Sequence, residues 1–169
     1  MFKEILGLSR IGVESKDTIG ANEIRLLRKK PSFSTKFPYL VCSNNYHEIV
    51  SNDVDLFEIR AIDHKVCELL KHCSNKRLGI ELTVNKLRAC DAQQLAKGIT
   101  YIKSLHKLTK KYGNQLVLTS GASSLFELVS GRCFDALLNL CDIQPETYWK
   151  NLNSWLKNKI DMRCYTCDT

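Results

Sequence analysis

Thr119-Ser120-Gly121-Ala122-Ser123 follows the apolar run Leu116-Val117-Leu118, and this is the stretch of the chain with the most chemistry in it. Its hydroxyls, together with backbone N–H groups where Gly121 and Ser123 turn the chain into a helix, make a place for an anion such as phosphate. Small residues at a strand-to-helix turn also serve the geometry of the turn alone. Glu81 lies inside Leu78-Gly79-Ile80-Glu81-Leu82. It either points into a closed interior, paired with a cation, or faces outward from a half-exposed strand. The four histidines, His47, His64, His72 and His106, show no HxH or HExxH spacing. A metal-activated water therefore has no evident ligand set. Cys164 and Cys167 form a CxxC, but no second pair faces it, and a structural zinc usually takes four ligands.

Cationic side chains are the other chemical feature. The chain has 169 residues and a formal charge of +7, with a pI near 9.0. That balance suits an acidic partner, whether RNA, DNA or protein. Lys97, Lys103, Lys107, Lys110 and Lys111 gather on one side of a helix expected from Asp91 to Lys111, and no acidic residue occurs between Asp91 and Glu127. Such a face is either an ordinary solvated surface, whose last lysines suit the negative end of the helix dipole, or a contact for an RNA backbone or acidic protein. Arg25, Arg28, Lys29 and Lys30 concentrate charge in a segment expected to be a basic helix over residues 22–30, stopped by Pro31. The same two readings apply there. No RNA-recognition consensus, zinc finger or KH-type GxxG loop is present, so reading of single-stranded bases has no sequence motif behind it.

The elements that position these residues follow from apolar patterning. Tyr39–Cys42, Leu56–Ile59, Leu78–Leu82 and Leu116–Leu118 are short apolar runs, as expected for strands covered on both faces. A short helix through Ile49, one opened by Asp63 and His64, and one capped by Asp91 lie between them. His64 is most simply a helix-terminal residue that bonds locally, not a general base. Ile11–Val13 suggests a further short strand, and Pro145 opens a final helix whose Trp149, Leu152, Trp155 and Leu156 pack on the body. Alternating strands and helices imply a parallel α/β arrangement and exclude a sandwich. With 44% hydrophobic and 25% charged residues, one domain over 1–160 with a tail at 161–169 is expected. No run of about 18 apolar residues and no signal-peptide core is seen, which points to an intracellular protein without a membrane partner. Eight cysteines fit that compartment as reduced, mostly core residues.

The wording LTSGASSLFEL followed by FDALLNLCDIQPE resembles the C-terminal signature of ribonuclease P protein component 3 of archaea and eukaryotes. In that family a Thr-Ser-Gly-Ala or Ser-Ser-Gly-Ala strand end precedes an Asp-led apolar helix. The matching positions here are Thr119, Ser120, Gly121, Ala122 and Asp135, while Val129 and Gly131 replace the usual Arg and Pro. VDLFEIRAIDHKVCELL resembles the family's Val-Asp strand and Asp-His helix start through Asp55, Asp63 and His64, and GIEL resembles its Ile-Glu-Ile strand through Glu81. The resemblance covers residues 39–150.

It implies a TIM-barrel-like parallel barrel, related to the polymerase-and-histidinol-phosphatase barrels. A full barrel of that kind takes about 250 residues, so this one is expected to be shortened or incomplete at the N-terminus. It implies a protein subunit of ribonuclease P, an endoribonuclease that removes 5′ leaders from precursor tRNA. The catalytic RNA with its Mg2+ would do the hydrolysis, and this chain would supply no catalytic residue, bind no metal and need no cofactor. Partners would be the ribonuclease P RNA, the component 2 protein and other ribonuclease P proteins, and precursor tRNA. The location would be cytoplasmic in an archaeon and nuclear in a eukaryote. Two enzyme readings stand beside it: a metal-dependent phosphoesterase of the related barrel type, and a phosphate-ligand barrel enzyme using the Thr119–Ser123 turn.

Overall fold

The computed structural model of the chain describes residues 25–27, 39–51, 53–59, 64–122 and 125–161. Five strands, β1 (Arg25–Leu27), β2 (Tyr39–Ser43), β3 (Leu56–Glu58), β4 (Gly79–Thr83) and β5 (Gln115–Thr119), form one sheet in sequential order. Every neighbouring pair is parallel. The helices are α1 (Tyr46–Ser51), α2 (His64–His72), α3 (Ala92–Lys111), α4 (Gly131–Leu140) and α5 (Pro145–Asp161). Short 3₁₀ turns occupy Ser74–Lys76, Asn85–Ala89 and Leu125–Glu127.

Register divides the strand side chains between two faces. Leu56 of β3 aligns with Gly79 of β4, Glu58 with Glu81, and Glu81 with Val117 of β5. Because successive side chains alternate, these residues share one face with Thr83 and Thr119. α5 lies across this face. A Cβ on Gly79 would come within 2.6 Å of the Trp155 ring and 2.9 Å of Leu56, so glycine is what lets the helix approach. Ser43 belongs to the opposite face, where its hydroxyl donates to Glu48 of α1 at 2.6 Å. α1, α2 and α3 pack one against the next as the second covering layer. Burial on both sides explains why β2 is apolar throughout apart from Ser43, with Leu40 completely buried.

The sheet is open, which corrects the barrel expected from the resemblance. Among the described residues β5 pairs only with β4, and its outer edge meets a helix instead of another strand. There the Leu118 N–H donates to the phenol oxygen of the fully buried Tyr148 in α5, at 2.9 Å. A helix covering a sheet edge removes the template for further pairing. The five parallel strands among the described residues also fall short of the eight that close such a barrel.

A second correction concerns the segment around Arg25. Within the basic helix expected over 22–30, the described residues Arg25–Leu27 form strand β1 instead, where Arg25 aligns with Tyr39 and Leu27 with Val41. Pairing to β2 and packing of Leu27 on the core outweigh local helix propensity. Ile11–Val13 and Pro31 lie outside the described residues, as does the tail expected over 161–169, with Cys164 and Cys167, apart from Asp161, which ends α5.

The long helix expected from Asp91 to Lys111 is in place as Ala92–Lys111. α3 begins where Asp91 accepts the Gln94 N–H at 2.8 Å while the Gln94 side chain accepts the Asp91 N–H, a complete capping box. Ile102 and Leu105 are buried at the centre of its apolar stripe, with Leu95, Ile99 and Leu108 half-buried around them. Buried Asn114 joins three elements: its amide donates to Leu70 O of α2 at 3.0 Å, and its oxygen accepts Leu78 N–H at 2.9 Å, just before β5 starts.

Candidate nucleic-acid interface

α3 turns its apolar stripe to the core and leaves Lys97, Lys107, Lys110 and Lys111 exposed, with Lys103 half-buried between them. Lys97, Lys107 and Lys110 make no ion pair among the described residues. Lys111 sits over the Tyr112 ring with its ammonium 5.5 Å from the centroid. Lys71, in the last turn of neighbouring α2, is exposed as well. The helix therefore gathers ammonium groups that a phosphate backbone neutralises on contact.

One carboxylate interrupts this face. Asp142, in the turn between α4 and α5, forms an ion pair and hydrogen bond with Lys103. Its backbone holds a left-handed φ of 53°, unusual for a non-glycine residue. The hydrogen bond from Lys103 and then its charge hold the Asp142 carboxyl below the ordinary carboxylate value, against an opposing desolvation effect and with a lesser contribution from the charge of Lys107. Lys103 is thus committed to a protein contact. The sequence offered no sign of this, because Asp142 lies 39 residues away and arrives only when α4 packs.

The strand ends carry the second group of expected residues. Glu81 is 1% exposed, which sets aside the outward-facing alternative, and it accepts a hydrogen bond from Thr119 Oγ1 at 2.8 Å. Ser120 is fully buried and its hydroxyl accepts the Ala122 N–H at 3.2 Å. Gly121 holds φ +68°, and a Cβ there would meet Thr83 Cβ at 2.8 Å. Asn85 closes the turn by donating to Gly121 O at 3.3 Å. The hydroxyls of Thr119 and Ser120 are therefore engaged inside the protein, beside a buried carboxyl group that disfavours an anion, while Ser123 lies outside the described residues. Among the described residues no α-helix directly follows the turn, contrary to expectation: Leu125–Glu127 is a 3₁₀ turn, and α4 starts at Gly131 under the Ser130 cap.

The remaining motif residues sit at packing joints. Asp55 is 2% exposed, accepts the Val41 N–H at 3.0 Å and lies 3.4 Å from Lys159 Nζ of α5. Asp135 accepts the Trp149 indole N–H at 2.6 Å, which ties α4 to α5. His64 heads α2, whereas Asp63, Arg28, Lys29 and Lys30 lie outside the described residues and Arg25 is placed by its strand alone. A groove of about 600 Å³ runs along α5, lined by Asp135, Glu146, Trp149, Lys150, Asn153 and Lys157. Its mixed charges do not form an anionic or cationic surface.

Among the described residues no group of three or more His, Cys, Asp or Glu side chains is placed to hold a metal ion. No described helix is long and apolar enough to cross a membrane. Cys42, Cys73 and Cys141 are buried free thiols, but Cys133 is exposed near the start of α4, unlike the core position expected from its apolar neighbours.

No protein-family model and no curated protein matches this chain. Its fold is similar to that of a chain in a cryo-EM structure of archaeal ribonuclease P with mature tRNA, with a TM-score of 0.58 and 22% identity. The match covers 75% of this chain and 57% of that one, so this chain spans just over half the length of the archaeal chain it matches. At this identity, the likeness establishes the fold.

Proposed function

We propose that this chain is a protein subunit of ribonuclease P. It would assist the catalytic RNA in endonucleolytic removal of 5′ leaders from precursor tRNA, binding RNA and holding neighbouring protein subunits. The observation that carries the reading is the shared fold with a chain of an archaeal ribonuclease P. The joint order of VDLFEI, DH, GIEL and LTSGA in the sequence supports it independently.

In this reading α3 is the contact for RNA phosphates through Lys97, Lys107 and Lys110, with Lys111 at its end. Hydrolysis and its Mg2+ belong to the RNA. Glu81, Asp55 and Asp135 shape the scaffold, consistent with the hydrogen bonds they make to Thr119, Val41 and Trp149. Component 2 and other ribonuclease P proteins are the protein partners, in the cytoplasm of an archaeon or the nucleus of a eukaryote.

The test is charge reversal of the exposed lysines. Lys97→Glu, Lys107→Glu and Lys110→Glu together should weaken binding of the RNA that copurifies with the chain. They should also flatten the dependence of log K on log salt, by roughly one unit of slope for each lost phosphate contact. Unchanged affinity and slope would remove α3 from the RNA interface.

A further inference from the structure

Phe126 is 98% exposed, the most exposed large hydrophobic side chain among the described residues. It stands on the 3₁₀ turn Leu125–Glu127, beyond the C-terminal end of β5. Arg88, on the 3₁₀ turn that follows β4, reaches across and donates through Nη2 to Glu127 O and, at 3.2 Å, to Leu128 O. These bonds span 39 and 40 residues of sequence and hold the mount of the ring against the neighbouring strand end. Arg88 remains exposed and makes no ion pair among the described residues. Its partners are neutral carbonyls, so its charge is not cancelled, and its Nε and Nη1 donors stay available.

We propose that Phe126 is a stacking platform for an unpaired RNA base, with Arg88 beside it facing the attached phosphate. An aromatic face next to a cation is the combination that holds single-stranded nucleotides, since every base offers a π face. The position also fits, because ligands of open α/β sheets bind outside the carboxyl ends of the strands. A protein partner fits less well. Stable protein interfaces bury a contiguous apolar centre, whereas Arg88, Ser130, Arg132 and Cys133 in the surrounding segments are exposed. Leu128 and Val129 after the ring are half-buried, so Phe126 stands out as a single exposed ring, which is sufficient for a base.

The choice of RNA as ligand rests on the ribonuclease P reading. The test uses the tagged full chain and the RNA that elutes with it from its own cells, labelled and added back. Phe126→Ala should weaken binding about tenfold, Phe126→Trp should keep it within about twofold, and Phe126→Leu should bind as poorly as alanine. Equal melting temperatures should accompany all three, since the ring is 98% exposed. Full binding by Phe126→Ala overturns the stacking role and leaves the subunit reading intact. Restoration by Phe126→Leu also overturns it, because an apolar pocket and not a base would then be the partner. A wild-type chain that elutes with no RNA overturns both.

Discussion

Lys159 Nζ lies 3.4 Å from Asp55 Oδ1, and the same ammonium donates to Lys76 O at 2.9 Å. The pair joins the last turn of α5 to the loops that start β3 and β4, and Asp55 also fixes β2 through the Val41 N–H. With side chains 10% and 2% exposed, both charges are largely out of water. Removing Lys159 takes this ammonium away from the buried Asp55 carboxyl group. Lys159→Met should therefore destabilise the fold by about 3 kcal/mol, read as a lower urea midpoint at unchanged m-value.

The edge of the sheet makes a second prediction. Burial pushes the Tyr148 phenol well above its ordinary pKa, outweighing the opposing bond with Leu118, so it stays neutral and accepts the Leu118 N–H. Tyr148→Phe orphans that buried donor and should cost about 1–3 kcal/mol. Faster amide exchange at Leu118, measured by NMR, would locate the loss at β5. Exchange unchanged at Leu118 would mean the phenol does not protect the edge.

Gly79 tests the seating of α5. The missing Cβ leaves room for Trp155, whose indole N–H donates to Arg77 O at 2.7 Å. Gly79→Ala should cost about 1–3 kcal/mol through overpacking and shift Trp155 fluorescence. A stable variant with unaltered fluorescence would contradict this seating.

His106 gives the fold a pH dependence. Burial, then the charge of Lys110, lowers its pKa below 6.5, and its Nδ1 is buried without a hydrogen-bond partner among the described residues. As pH falls, the unfolded chain takes the proton before the native one does. The contribution is full above the unfolded value of about 6.5 and declines as pH drops from there to the native pKa. His106→Gln should show a smaller loss of stability across that window than the wild type, and the His106 ring should titrate below 6.5 by NMR.

Much of the core was legible in the sequence because the apolar runs of β2 to β5 and the stripe of α3 are local patterns. Asp91 was readable as a cap for the same reason. The open sheet was not legible, since sequential parallel strands alternating with helices produce one pattern whether or not the sheet closes. What decides is Tyr148 on the edge of β5, a contact 30 residues distant in sequence. β1 was misread because pairing with β2 makes Arg25–Leu27 extended, and no local feature of its basic residues announces it. Within the cationic face the lysines were visible, but the Asp142 partner of Lys103 depends on how α4 and α5 pack. Arg88 and Phe126 were missed because the hydrogen bonds that bring their turns together depend on β4 and β5 being neighbours.

The measurement closest to the central claim is cleavage of precursor tRNA by material purified through this chain. The tagged protein, recovered from its own cells, should carry a structured RNA and release the 5′ leader in Mg2+, with activity abolished by ribonuclease treatment before substrate is added. Recovery without RNA and without leader removal would contradict the ribonuclease P reading.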